Sequence, residues 1–535
     1  MPRAFGLFAG AAGLVLAAWW WLGLAVEMPP SPLDRGEKLH CVSYTPFRGA
    51  QNPLTPHTKV EPWQIEEDFA RLAPLTNCVR SYSIEHGLDR IPEIAQRHGL
   101  KVLHGIWLSS NAEQNRQQIE TSVALAKRFP DVIQAIIVGN EVLLRGEMSA
   151  VDLANTIRGV KAQVPVRVTY ADVWEFWLRN RVIYDAVDFV TIHVLPYWED
   201  FPIPAQEAGA HVESIRKRLG AAFPDKEMLI GETGWPSAGR MREAALPSPA
   251  NQARVLHDVL ALAKRENYAV TVIEAFDQRW KRQLEGTVGG HWGLFDAYSR
   301  EAKFTWGEAV SNHRNWKWQA AAGVALAGLV FAAVLLARRF RSIDKEPDGP
   351  TWIIIAANAV SIGIFAPWAA ENMLLESLGA GGWVRSATLL SVAILAPILG
   401  SVALASGIAV PSFAGVIGPG EGRLRDPLAA ALGLVLILSV VVALTVALGL
   451  AFDPRYRDFP YAALTAAVLP FVCLTLLIPS GGRRGAAETA AAGVLLLSAG
   501  YIVFNERLAN WQSLWFCALI AVLALILLRV RDARS

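Results

Sequence analysis

Charge is what this 535-residue chain has least of. Asp, Glu, Lys and Arg make up 18% of it, against 53% apolar residues, where a soluble domain carries about 25% charged residues. That shortfall excludes a single water-soluble domain. The charge that is present nearly cancels: 50 basic residues against 48 acidic leave a formal net of +2. With no basic patch interleaved with aromatics, nucleic acid is excluded as a partner. Cysteine is scarce too, four in all. No His or Cys pair has ligand spacing, which removes a metal centre, and no motif asks for a cofactor.

The apolar excess has a location. Ala4–Val26 is apolar, with Arg3 before it and Trp19, Trp20 and Trp21 near its outer end. That length reads as an uncleaved membrane anchor, with Gly23-Leu24-Ala25 as an alternative cleavage site. After Trp318 the character turns apolar again. The length needed to cross a bilayer picks out segments at roughly 319–337, 352–370, 386–408, 428–451, 460–479, 487–504 and 511–528. Every second loop is basic: Arg338, Arg339, Arg341 and Lys345, then Arg423 and Arg425, then Arg483 and Arg484, then Arg529, Arg531 and Arg534. The alternate loops carry Glu371 and Glu376, or the mixture Asp453, Arg455, Arg457 and Asp458. The positive-inside rule therefore expects eight spans of a bacterial inner membrane, both termini cytoplasmic, and residues 27 to about 315 in the periplasm. The spans hold almost no ionisable residue, Glu488 lying near an end, so an anchor or docking platform is a better reading than a transporter. Cys473 and Cys517 fall in spans as packing residues.

The polar part between these regions alternates strand-like and helix-like runs. Eight runs rich in Val and Ile stand out: Leu39–Tyr44, Asn77–Tyr82, Lys101–Trp107, Ile133–Val138, Val166–Tyr170, Val187–Val194, Glu227–Gly231 and Ala269–Ala275. Amphipathic stretches such as Glu66–Ala73, Ile91–His98, Asn115–Arg128 and Ala250–Arg265 lie between them. Eight βαβ-type units predict an α/β fold, a (β/α)8 TIM barrel with its site at the C-terminal ends of the strands. The expected organisation is an anchor over 1–27, a barrel over 28–315 and a membrane domain of about seven helices over 316–535. Cys41 and Cys78 take equivalent places at the start of the first two runs, as a disulfide or as two buried thiols.

Two carboxylates sit where such a site would be. Glu141 follows the fourth run in Val138-Gly-Asn-Glu141, and Glu232 ends the seventh in Ile230-Gly-Glu-Thr-Gly-Trp-Pro-Ser237. Two carboxylates, each at the C-terminal end of a buried parallel strand, are what a retaining glycosidase needs, one to protonate the leaving oxygen and one to attack C1. Arg80, Tyr82, Tyr170, His193, Tyr197 and Trp292 lie at the same end. Trp235 and Trp292 read as sugar-stacking faces or as barrel packing, and His104 and His193 as structural.

These motifs, with Glu274-Ala-Phe-Asp-Gln-Arg-Trp-Lys281, resemble glycoside hydrolase family 17, the β-1,3-glucanases and their transglycosylating relatives, over about residues 38 to 312. The resemblance implies Glu141 as acid/base, Glu232 as nucleophile, Tyr82 beside the nucleophile and Asn140 at the sugar 2-hydroxyl. Arg80, Tyr170, Tyr197, Trp235, Lys281, Glu285 and Trp292 complete the implied substrate-binding set. Plant members have a Glu where this chain has Gln278, a departure that bears on substrate detail. Gln278-Arg279-Trp280 is also faintly similar to the Gln-x-x-Arg-Trp motif of processive glycosyltransferases, but its spacing is wrong and no Asp-x-Asp site accompanies it. The resemblance implies hydrolysis or transfer on β-1,3-glucan, with β-1,6 linkages among the products of similar bacterial chains. The lipid bilayer and a membrane glucan synthase or exporter are the implied partners, and a non-catalytic glucan-binding scaffold is the alternative.

Overall fold

In the computed structural model, which describes residues 2–341, 346–418, 426–478 and 485–529, the chain divides into two compact units. One comprises Val26–Ala238 and Ala244–Val310; the other comprises Met1–Ala25, Gly239–Glu243 and Ser311–Ser535.

The first unit is a closed barrel of eight strands in sequential order. They are β1 (Cys41–Ser43), β2 (Cys78–Arg80), β3 (Lys101–Ile106), β4 (Ile133–Asn140), β5 (Arg167–Val173), β6 (Val190–His193), β7 (Met228–Thr233) and β8 (Ala269–Val272). All neighbours pair in parallel, and β8 closes on β1 through Cys41–Thr271 and Val42–Val272. The eight expected runs are these eight strands, because β-branched side chains buried on both faces leave little polar surface to alternate. The ends differ. β4 continues past Val138 to Asn140, β5 continues past Tyr170 to Val173, and β8 stops at Val272, short of Ala275.

Three of the crossover helices start on side-chain caps. Asn111 accepts from the amides of Glu113 and Gln114 ahead of Ala112–Arg128, Ser149 from Asp152 ahead of Ala150–Lys161, and Ser248 from Asn251 ahead of Pro249–Glu266. Each such cap is worth about 1 kcal/mol. Cys41 and Cys78 are joined by a disulfide between the first residues of β1 and β2, which resolves the alternative left open by the sequence.

Among the described residues, the second unit holds seven helices long and apolar enough to cross a membrane: Arg3–Leu22, Trp316–Phe340, Gly349–Glu376, Gly379–Ala405, Pro427–Phe452, Ala486–Glu506 and Trp511–Leu528. The span expected near 460–479 is the shorter apolar helix Tyr461–Leu477. Lys345, Arg423, Arg425, Arg483, Arg484, Arg531 and Arg534, which carry much of the charge pattern, lie outside the described residues.

Close backbone approach organises this unit. Gly323 and Gly363 face one another across two helices, where an added Cβ would collide. Pro367, inside the Gly349–Glu376 helix, has no N–H, so the carbonyl four residues back loses its helical partner. That carbonyl belongs to Gly363 and accepts instead from Trp19 Nε1 at 3.0 Å. Mid-helix Asn358 donates to Ser401 Oγ at 3.0 Å. Glu488 sits in the first turn of its helix and accepts from the amides of Phe413 and Gly485. The inserted pentapeptide Gly239–Glu243 is held by the Arg240–Glu506 ion pair, by Asn510 donating to the Met241 carbonyl at 2.9 Å, and by the Met241 amide donating to Gln512 at 2.8 Å.

Candidate active site

Both motif glutamates stand at strand ends where the parallel register slips. The β4–β5 ladder skips between Ile137 and Asn140, and the β6–β7 ladder between Ile192 and His193, which brings His193 opposite Glu232. Such irregularities re-aim side chains at barrel rims. Gly139 takes φ +92°, and Glu141 itself takes φ +53°, a left-handed conformation uncommon outside Gly and strained for a carboxylate-bearing side chain. The strain is held by bonds on every side. The Glu141 amide donates to the Ala171 carbonyl at 2.8 Å, Arg145 donates to the Asn140 carbonyl, and the Leu143 amide donates to Tyr170 Oη at 3.0 Å. Tyr170 in turn donates to Asp172.

Glu232 is buried with three partners on one oxygen. Tyr82 Oη donates to its Oε1 at 2.7 Å, Arg80 Nη1 lies 3.0 Å away and His193 Nε2 lies at 3.5 Å. Burial pushes this carboxyl up, but the His193 ring, the Arg80 guanidinium, the Tyr82 hydroxyl and the Lys281 ammonium outweigh it and hold it below the ordinary value. An ionised Glu232 is the state a nucleophile needs. Arg80 also donates to the Gly231 carbonyl at 2.8 Å and, through Nη2, to Asn140 Oδ1 at 2.6 Å. One guanidinium therefore ties the nucleophile's strand to the residue before Glu141.

Glu141 is half-buried, and its Oε1 lies 2.7 Å from His193 Nδ1. A nitrogen or oxygen of each of Glu141, His193 and Glu232 falls within 4.8 Å of the others. The donor set is of metal-binding type, but Arg80 already brings a cation to Glu232 and hydrogen-bonds the His193 ring at 3.1 Å, which disfavours a second positive charge there.

Around this centre, Lys281 pairs with buried Glu274. Burial pushes Glu274 up to about 7 despite that pairing. Glu285 lies nearby and acts with Glu274 to raise Lys281 against the effect of burial. Tyr197, Trp235 and Trp292 are buried in an edge-to-face array, and half-exposed Trp198 stacks on Trp292. Gln278 is buried: its amide nitrogen donates to the carbonyls of Thr45 and Phe276, and its oxygen accepts from Trp280. A glutamate could not donate to those carbonyls, which accounts for the amide here. His104 is fully buried against Ser122 at 3.0 Å, and burial pushes it down to about 4, as a structural role requires. His193 is the residue that sequence reasoning undervalued, since nothing in its spacing reveals contacts to β2, β4 and β7 at once. Asp172 escaped notice because it ends an apolar run; burial pushes it up to about 6.

An eight-stranded parallel barrel with two carboxylates brought together at its strand ends is the arrangement that glycoside hydrolases of this fold use. Residues 41–293 match the BtgE/BtgC glycoside hydrolase domain, a distant relative of the family 17 enzymes that the motifs resemble. The probable β-glucosidase btgE of Aspergillus fumigatus is 28% identical over 228 residues, 41% of this chain and 40% of that protein. Glucan 1,3-β-glucosidase of Candida albicans is 26% identical over 268 residues, 45% of this chain and 87% of that protein. A solved structure, the family 17 β-1,3-glucanosyltransferase of Rhizomucor miehei, is 26% identical, with 50% of this chain and 95% of that one covered at a TM-score of 0.44. The chain thus spans only about 40% of the length of the btgE relatives it matches.

Proposed function

We propose that this chain is a membrane-anchored retaining enzyme that remodels β-1,3-linked glucan outside the cytoplasmic membrane. The observation that carries the reading is the close approach of Glu141 and Glu232, one oxygen of each lying within 4.8 Å of the other. Inverting enzymes keep their carboxyls roughly 6.5–9.5 Å apart to admit a water, and retaining ones about 5–5.5 Å apart. Glu232 attacks C1 as Glu141 gives its proton to the leaving oxygen, forming a covalent glucosyl-enzyme. Glu141 then takes a proton from the acceptor hydroxyl as that oxygen displaces Glu232.

Three further observations support this reading. Relatives of the barrel include a glucan 1,3-β-glucosidase and a β-1,3-glucanosyltransferase. The Cys41–Cys78 disulfide suits an oxidising compartment. The apolar helices would hold the barrel near an export site, where tethering raises local glucan concentration. In a periplasm without nucleotide sugars the transferred bond must come from existing glucan, so a sugar hydroxyl, including a 6-hydroxyl, is the favoured acceptor. Lys281, Glu285 and Asn140 complete the sugar-binding set, while Tyr197, Trp235 and Trp292 are buried against one another and serve as packing.

The test uses the full chain in detergent with laminari-oligosaccharides, products being resolved by size and linkage. Products longer than the donor are expected; only shorter ones defeat transfer, and none at all defeats the enzymatic reading. Alkaline phosphatase inserted after residue 315 should be active and after Arg341 inactive, and the reverse would place the barrel in the cytoplasm.

A further inference from the structure

His193 touches both catalytic glutamates, and its protonation pattern can be read from a neighbour that cannot accept. Arg80 Nη1 lies 3.1 Å from His193 Nε2, and a guanidinium only donates. In the neutral ring Nε2 is then the acceptor and the proton sits on Nδ1, so that Nδ1–H donates to Glu141 Oε1 at 2.7 Å; a ring protonated on both nitrogens makes the same donation. Glu141 Oε2 has no hydrogen-bond partner among the described residues. Glu232 is arranged alike: Oε1 takes Tyr82, Arg80 and the His193 contact, and Oε2 has no partner among the described residues.

From this geometry we infer that His193 is the positioning residue that assigns the catalytic proton to Oε2 of Glu141, with Arg80 fixing the imidazole tautomer that does so. The inference rests on the retaining mechanism proposed above. In the first half-reaction, Glu141 Oε1 is the carbonyl oxygen accepting from Nδ1–H. The Oε2–H proton passes to the glycosidic oxygen as the C1–O bond breaks and Glu232 Oε2 bonds to C1. In the second, the acceptor hydroxyl gives its proton to Glu141 Oε2 while its oxygen bonds to C1 and the C1–Glu232 bond breaks. His193 donates throughout and loses no proton. Its donation favours the carboxylate form of Glu141 over the acid, so losing it moves the basic limb of activity to higher pH.

The charged and titratable groups facing this pair are Arg80 from β2, Arg145 from the Glu141 loop, Tyr170 and Asp172 from β5, and Glu232 from β7, with Tyr82 and Lys281 on the Glu232 side. Asp172 titrates beside Glu141, so the pH profile is measured with and without Asp172→Asn.

The experiment compares His193→Ala and His193→Asn in the full chain, using a β-1,3-gluco-oligosaccharide and a dinitrophenyl β-glucoside whose leaving group needs no proton. For His193→Ala, kcat/KM on the oligosaccharide should fall about 10²- to 10³-fold, within the range of general acid catalysis, and the aryl glucoside should change by less than about 10-fold. The basic limb of the oligosaccharide profile should move to higher pH in both Asp172 backgrounds. In His193→Asn, whose amide N–H replaces Nδ1–H, that limb should stay in place. Equal losses on both substrates with an unmoved limb, or a limb displaced alike in the two variants, overturn the inference. Glu141→Gln and Glu232→Gln are run alongside: activity retained in those overturns the retaining mechanism itself, whereas their loss beside an unmoved limb overturns the role of His193 alone.

Discussion

In the barrel, Arg80, His193 and Glu232 are packed out of water within hydrogen-bonding reach of one another. Among the described residues, the buried polar side chains within the helices of the other unit include Asn358, Ser361, Ser386, Ser401, Ser439, Thr475 and Ser498, none of them charged. Its buried ionisable residues, Glu488 and Glu506, are at helix ends, and Arg240 is in the inserted pentapeptide. The contrast follows from what each unit must do with a low-dielectric interior. Fixed charges there are strong, and they stabilise a transition state only if each is paired in advance. A bundle with no charge to stabilise gains nothing from such groups and keeps hydroxyls and an amide: Ser439 bonds its own backbone at Val435, and Asn358 donates across to Ser401 on the neighbouring helix.

The comparison breaks most sharply at Glu232. Glu232→Gln removes the nucleophile and should lower turnover at least about 10⁴-fold, some 5.5 kcal/mol of barrier, in an oligosaccharide assay, while Asn358→Leu leaves turnover unchanged. A helix substitution as damaging as Glu232→Gln would show that the two interiors are not separate in purpose. Next is the disulfide, which occurs in the barrel, while Cys473 and Cys517 of the helices are free. With Cys41 and Cys78 separated by 37 positions, loop-closure entropy gives about 4 kcal/mol. Cys41→Ser, or reduction, should lower the melting temperature of the barrel transition and leave the helical transition in place.

Asp172 sharpens the comparison through pH. Burial pushes it up from 3.8 to about 6, with Glu141 acting in the same direction. The folded state therefore holds this proton more tightly than the unfolded chain does. Its contribution is fully present below about pH 4 and is lost as pH rises through 6, a span of about 3 kcal/mol. Asp172→Asn should flatten the decline in barrel stability between pH 4 and 7, measured by thermal melts; an unchanged slope would rule out Asp172 as its source. The smallest effect belongs to the helices: Asn358→Leu removes the hydrogen bond to Ser401 and should cost about 0.6 to 2 kcal/mol, read from unfolding in detergent micelles.

Periodicity and strand-end chemistry made much of this legible. The eight runs that became β1 to β8, and the placement of Glu141 and Glu232 after the fourth and at the end of the seventh, follow from local patterns, because parallel strands buried on both faces write themselves as apolar runs. The overrun of β5 did not: Asp172 reads as the polar end of a strand, yet Tyr170 and the Val173 amide satisfy its carboxylate and keep it inside. His193 was noticed only as a strand-closing residue. Its role depends on Arg80 of β2, Glu141 just past β4 and Glu232 of β7, which meet only when the barrel closes. The burial of Tyr197, Trp235 and Trp292 was equally hidden, since sequence does not distinguish an aromatic that stacks on sugar from one that stacks on its neighbours.

The Trp19 indole and the Gly363 carbonyl are 344 positions apart, and a ribosome adding about 5–20 residues per second needs roughly 20 to 70 seconds to travel between them. The chain's first helix must therefore stay in place through the making of the whole barrel before the carbonyl it satisfies exists. Any protease that trimmed residues 2–22 in that interval would leave the Gly363 carbonyl without the indole that satisfies it.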